Sequence, residues 1–135
     1  MIMAGGLVSW YSKLQSIVAA SSMEAEYIAC FYAIQEIVWI RQLLKALGLQ
    51  RSQPTRVFID NKSARLLAQN PVFHQRSKHI DIKYHWIRDM VATNVVQLID
   101  VSTDDQRAVF LIKTLRSEVF WRHVRVLLDE RYVSE

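Results

Sequence analysis

The run SSMEAEYIAC, Ser21 to Cys30, sets two carboxylates, Glu24 and Glu26, at the start of an alanine-rich stretch with the makings of a helix. A third, Asp60, closes the β-rich run TRVFID, Thr55 to Asp60. A carboxylate at the C-terminal end of a strand is a frequent functional position in α/β sheets. Brought to one sheet edge, Glu24 and Asp60 would offer oxygen ligands to a hard divalent cation such as Mg²⁺. Two-metal phosphodiester hydrolysis asks for more, several carboxylates converging on ions ~4 Å apart. On residue physics alone the plainer roles are favoured, Glu24 as a first-turn acid complementing the helix dipole and Asp60 as a turn or cap residue. Glu26 points about 200° around the helix from Glu24 and reads as a solvated or supporting residue.

A second group of chemistry-bearing residues is basic and aromatic. His74, Arg76, Lys78, His79, Lys83, His85 and Arg88 fall in one short span with Phe73, Tyr84 and Trp86 among them. Such mixtures grip phosphates and stack on sugars or bases, which makes Arg76, Lys78, Lys83 and Arg88 candidate nucleic-acid contacts. The competing reading turns Tyr84, Trp86 and Ile87 into the core and leaves the cations solvated, with Asp81 and Asp89 diluting the charge. His79 and His85, six apart on a helix, lie on different faces, which argues against zinc.

The elements that must position these residues follow from periodicity. From Ser22, a good N-cap, apolar residues recur at helical spacing (Ile34, Ile37, Val38, Leu44, Leu47) until Gly48, a C-cap signal. The strand at 55–60 passes into NKSARLLAQN, a short helix closed by Asn70-Pro71. The second half of the basic segment has helical spacing through Ile82, Trp86, Ile87 and Met90, and VVQLIDVS, Val95 to Ser102, is a strand. TDDQRAVFLIKTL, Thr103 to Leu115, opens on a Thr/Asp cluster and reads as a helix with Asp104 and Asp105 as caps. SEVFWRHVRVLLDE adds a packing helix, with Val119, Phe120, Val124, Leu127 and Leu128 inward and Arg122, His123, Arg125 and Arg131 on a basic outer face. At the start, Gly5-Gly6 marks a tight turn before a short strand through Leu7, Val8, Trp10 and Tyr11, and only Met1 to Met3 precede it as a partner arm. The order of strands and helices indicates an α/β protein.

Composition sets the bounds. A chain of 135 residues with 51% hydrophobic content reads as a folded unit, and 17 Lys+Arg against 13 Asp+Glu give a net charge of +4, compatible with a polyanionic partner without requiring one. A single cysteine, Cys30, excludes an internal disulfide framework and suits packing. The start has no signal-peptide pattern and no segment approaches the ~20 apolar residues of a membrane span, so the expectation is an intracellular protein, nuclear or cytoplasmic, with no membrane partner.

The runs LVSWYSKLQSIVAASSMEAEYIA, VFIDNKSARLLAQNPVFHQRSKHIDIKYHWIRDMV and TDDQRAVFLIKTL together resemble the ribonuclease H domain that ends the polyprotein of copia-type LTR retrotransposons. The resemblance runs from near Gly5 to about Leu115, leaving 116–135 as a C-terminal packing helix and tail. It implies a ribonuclease H-like mixed sheet flanked by helices. It also implies cleavage of the RNA strand of RNA–DNA hybrids with two Mg²⁺ ions held by four carboxylates. The acid of the family's Ser-Ser-Thr-Glu-Ala-Glu-Tyr motif falls on Glu24, and its strand-end Asp falls on Asp60, followed by Asn61, Ser63 and Ala64 as in Asp-Asn-x-Ser-Ala.

The other two ligands are not matched. The family's first Asp lies in a strand upstream of the Gly turn, so the expectation is a sheet lacking its first strand and most of its second. The fourth lies in the terminal helix, where the family reads Ala-Asp-Ile-Leu-Thr-Lys-Pro-Leu and this chain reads AVFLIKTL, with Val109 at the Asp position. An aliphatic side chain cannot ligate a metal, and Asp105, a helical turn away, would sit roughly 6 Å off along the axis. The implied protein is a ribonuclease H domain with Glu24 and Asp60 as surviving Mg²⁺ ligands and no activity. Its partners would be an RNA–DNA hybrid or other nucleic acid, and the reverse-transcriptase portion of a polyprotein. A non-catalytic nucleic-acid-binding module and a transposon remnant are the rival readings, and oligomeric state is open.

Overall fold

The computed structural model describes residues 1–3, 6–15, 22–60 and 78–128, with Ser22, Met23, Asp60 and residues 78–81 described by backbone alone. The architecture is mixed α/β, with three α-helices and two small sheets among the described residues. The chain divides into two compact units. One joins Met1–Ser16 to Asp105–Glu135, and the other is Ile17–Asp104.

The larger unit is built on a long helix, α1 (Ser22–Ala46), followed by strand β3 (Thr55–Asp60), helix α2 (Lys78–Ala92) and strand β4 (Val96–Val101). The strands pair in parallel, Thr55 opposite Val96 through Asp60 opposite Val101. Parallel pairing requires a crossover, and α2 lies between the two strands in the chain. Val57 and Ile59 are buried while Phe58 between them is exposed, the alternation of a sheet with one covered face. Tyr27, Ile28, Cys30, Ile34, Ile37, Ile40 and Leu44 of α1 join Val57, Ile59, Ile87 and Val96 as this unit's buried apolar residues. The expected helix from Ser22 to Gly48 is observed with one correction, since Leu47 is exposed. It lies beyond the last helical residue, where the chain turns away from the core face. Ile82 is likewise exposed although its spacing matched Ile87.

Both helices stop the same way. The N–H of Leu49 donates to Leu44 O at 2.8 Å and that of Gly48 to Lys45 O at 3.1 Å, with Gly48 at φ 73°. At the end of α2 the pattern repeats, with Val95 N–H to Met90 O, Asn94 N–H to Val91 O and Asn94 at φ 60°. These are Schellman closures, which place one residue in the left-handed region that glycine adopts at least cost. Gly48→Ala meets no steric obstacle to its Cβ, but the backbone angle alone is expected to cost about 1 kcal/mol in a urea melt. The loop that follows α1 is held by Arg41, whose guanidinium donates to Gln53 O at 2.8 Å, Thr55 Oγ1 at 3.2 Å and Arg51 O at 3.0 Å. One side chain thus ties the helix to the start of β3.

The smaller unit joins the two ends of the chain. Strands β1 (Ile2–Met3) and β2 (Gly6–Leu7) form an antiparallel hairpin, with Ile2 opposite Leu7. The strand expected through Tyr11 is therefore much shorter. Its partner arm holds two residues, so the ladder ends at Leu7, with Val8 N–H still donating to Met1 O at 3.0 Å and the terminal ammonium donating to Ser9 O. Gly6 bridges Leu128, just past helix α3 (Ser117–Leu127), and Ser12 Oγ donates to Leu111 O at 3.0 Å.

The helix expected over 103–115 is not formed. Thr103 to Asp105 make a turn, Arg107–Leu111 a 3₁₀ turn, and Gln106 rather than an acid precedes it, with no side-chain cap. In α3, His123 is buried with Val124 and Leu127, which corrects its assignment to a basic outer face, while Leu128 is exposed. The expected helix NKSARLLAQN lies outside the described residues. Among the described residues the sheets are the parallel β3–β4 pair and, separately, the short hairpin.

Candidate functional site

Glu24 stands in the first turn of α1 and is 5% exposed, a burial that carboxylates rarely reach without partners. Glu26, two residues on, is half-buried, as the helical rotation between them requires. Asp60 is the last residue of β3, level with Val101 of β4, so its backbone sits at the C-terminal edge of the parallel pair. Because α1 packs on β3, Glu24 and Asp60 belong to elements in direct contact within one unit.

Beside Glu24, one helical turn on, Tyr27 is buried and its ring stacks on Tyr84 of α2 at 5.3 Å and 11°. No described residue accepts from or donates to the Tyr27 hydroxyl. Burial pushes its ionisation well above the ordinary tyrosine range, the neighbouring Tyr84 and Cys30 adding to the effect and Arg88 opposing it. Since an unpaired buried hydroxyl is costly, Tyr27→Phe should keep the stack and raise stability by about 1 kcal/mol. A loss on thermal melting would instead reveal a hydrogen bond through the hydroxyl. The only sequence signal for this residue was its position three after Glu24, on the same helix face.

The candidate nucleic-acid contacts divide. Lys83 is half-buried, with Nζ 5.3 Å from the ring centroids of both Phe31 and Tyr32 of α1, and Arg88 is exposed with its guanidinium 5.9 Å from the Tyr84 ring. Phe31 meets Trp86 edge-on at 5.0 Å. Tyr84 and Trp86 therefore pack α2 on α1, and Ile87 is buried. Lys83 is part of that packing through cation–π contact. Arg76 lies outside the described residues, as does the side chain of Lys78.

Val109 belongs to the 3₁₀ turn of the smaller unit, and Asp105 is an exposed turn residue preceding it. Asp105 is thus not on a helix with Val109, and the spacing by which it was weighed as a substitute does not apply. Among the described residues no three His, Cys, Asp or Glu side chains gather where they could hold a metal ion. No helix among them is long and apolar enough to cross a membrane.

No family model matches the chain, and no solved structure matches it. Curated relatives do. The retrovirus-related Pol polyprotein from transposon TNT 1-94 of Nicotiana tabacum is 41% identical over 117 residues, 87% of this chain and 9% of the relative. Those from transposons RE2 and RE1 of Arabidopsis thaliana are 44% and 43% identical over 113 residues, 84% of this chain and 8% of each relative. The chain spans less than a tenth of the length of these relatives. Identity at this level, sustained over most of the chain, makes it a homologue of a short region of the retrovirus-related Pol polyproteins of plant transposons.

Proposed function

We propose that the chain is a ribonuclease H-like domain derived from the Pol polyprotein of a copia-type retrotransposon, one that binds RNA–DNA hybrid without cutting it. The observation that carries the nuclease ancestry is the pairing of a buried first-turn Glu24 with a strand-end Asp60 on elements in contact, in a chain with Pol homologues. A purely dipole-complementing acid has no reason to be buried.

Glu24 and Asp60 offer the hard oxygen donors that Mg²⁺ takes. As a set they do not fit a two-metal centre. Val109 stands where the family's terminal-helix carboxylate falls, and an aliphatic side chain there supplies no oxygen to position an ion or neutralise the charge that develops on phosphoryl transfer. No catalytic step is assigned to the chain on this reading. Hybrid binding would draw on exposed cations such as Arg88 and fall with added salt as displaced counterions compete.

The test is incubation of an end-labelled RNA–DNA hybrid with the purified chain in Mg²⁺ and in Mn²⁺, beside Glu24→Gln. The expected result is a salt-sensitive mobility shift with the RNA strand intact for both proteins. Cleavage that disappears in Glu24→Gln would overturn the loss of activity, and absence of any hybrid binding would overturn the retained substrate.

A further inference from the structure

We infer that the smaller unit carries a single-stranded nucleic-acid-binding surface, formed by the segment after the hairpin, the 3₁₀ turn and α3. It rests neither on the carboxylates nor on α2.

The first observation is charge. Over residues 1–16 and 105–135 the sequence holds Lys13, Arg107, Lys113, Arg116, Arg122, Arg125 and Arg131 against Asp105, Glu118, Asp129, Glu130 and Glu135, a small cationic excess. The second is exposed aromatic surface, since Trp10 and Tyr11 are each 66% exposed and Trp121 is 48% exposed. Large rings left in solvent singly are ordinary, but here they share one small unit with a cationic excess. The third is placement. The Ser12 hydrogen bond to Leu111 sets the Tyr11–Lys13 backbone at the end of the 3₁₀ turn, two residues before Lys113. Phe110 meets Phe120 edge-on at 6.0 Å, joining that turn to α3, where Trp121 and Arg125 lie one helical turn apart on the same face.

Cations that track a phosphate backbone, interleaved with rings on which unstacked bases can lie, are the two parts of a sequence-tolerant single-strand site. A duplex keeps its bases stacked and would leave the rings unused. Arginine predominates among the cations, and its planar fork suits phosphate oxygens. Phe120, Val126 and Leu128 are also exposed beside Trp121, Arg122 and Arg125, so a lipid surface is the alternative that the experiment must separate.

The experiment is fluorescence anisotropy of the full 135-residue chain with labelled oligo-dT and with the same length of duplex, across a salt series. Oligo-dT should bind more tightly than duplex. Trp121→Ala and Trp10→Ala should each weaken it roughly tenfold, and Arg125→Ala should weaken it and lower the salt slope by about 0.7. All three residues are exposed, so thermal melts of the variants should match the parent, and Arg125→Lys should retain the slope. Glu24→Gln should bind oligo-dT like the parent, which separates this site from the nuclease reading. Equal affinity for duplex, indifference to the Trp variants, or binding to phosphatidylserine vesicles in place of oligo-dT would each overturn the proposal.

Discussion

Replacing Ile34 by alanine should lower the unfolding free energy by about 4 kcal/mol, most of it visible as a shifted urea midpoint at unchanged slope. Ile34 has 0% exposure at the middle of α1, on the helix that meets both β3 and α2. Losing its branched chain forfeits roughly 2 kcal/mol of transfer free energy, and the void adds a comparable amount, because a residue fixed from both sides leaves neighbours little room to collapse. Domains of this size are stable by only about 5–15 kcal/mol, so a substantial fraction of the molecules could unfold at physiological temperature. Two controls sharpen the test. Ile34→Val should cost about 1 kcal/mol, and Leu47→Ala, at an exposed position near the same helix, should stay within about 0.5 kcal/mol. A loss under 1 kcal/mol at Ile34 would show that α1 is not the centre of this core.

The contrast between Ile34 and Leu47 also shows where the sequence could be read and where it could not. Both are aliphatic and both fit a 3.6-residue period, yet only the first is buried, because Gly48 turns the chain away and burial depends on what an element meets. The strands at 55–60 and 96–101 were legible since each is rich in β-branched residues. The run after Thr103 misled for a local reason. Val109 to Ile112 are four consecutive apolar residues without helical spacing, none is fully buried, and Thr103, Asp104 and Asp105 have polar side chains that favour turns as readily as caps. The joining of residues 1–16 to 105–135 was invisible to periodicity altogether, because Gly6 opposite Leu128 is a pairing across nearly the whole chain. At the candidate site, motif likeness selected Glu24 and the structure adds its burial. Asp105 could be weighed as a ligand only while its segment was taken for a helix.

Cys30 is expected to react with iodoacetamide about a thousandfold more slowly in the native protein than in urea at about pH 8, and stability is expected to fall steeply as pH rises further. The thiol sits buried on α1, and burial pushes its pKa from 9.0 up to about 12. The thiolate is the nucleophile, so near pH 8 about a tenth of the unfolded chains but only about one in 10⁴ native chains are armed. The same shift fixes the sign of the pH dependence. Where the folded pKa lies above the unfolded one, the unfolded chain loses its proton first, so stabilisation is complete below about 9 and is lost as pH climbs towards 12. Within that window each pH unit should remove about 1.4 kcal/mol, roughly 4 kcal/mol if the fold survives to its end. Tyr27, one helical turn away and also held protonated by burial, adds a loss of the same sign once pH passes its ordinary 10.0. Urea melts in steps from neutral to alkaline pH would read the slope, and Cys30→Ala should flatten it between 9 and 10 and reduce it above, while Tyr27→Phe reduces it only above 10. Native-state alkylation as fast as that in urea would mean that α1 opens at its first turns. In that case Glu24, six residues before Cys30, would not be held in place for an ion either.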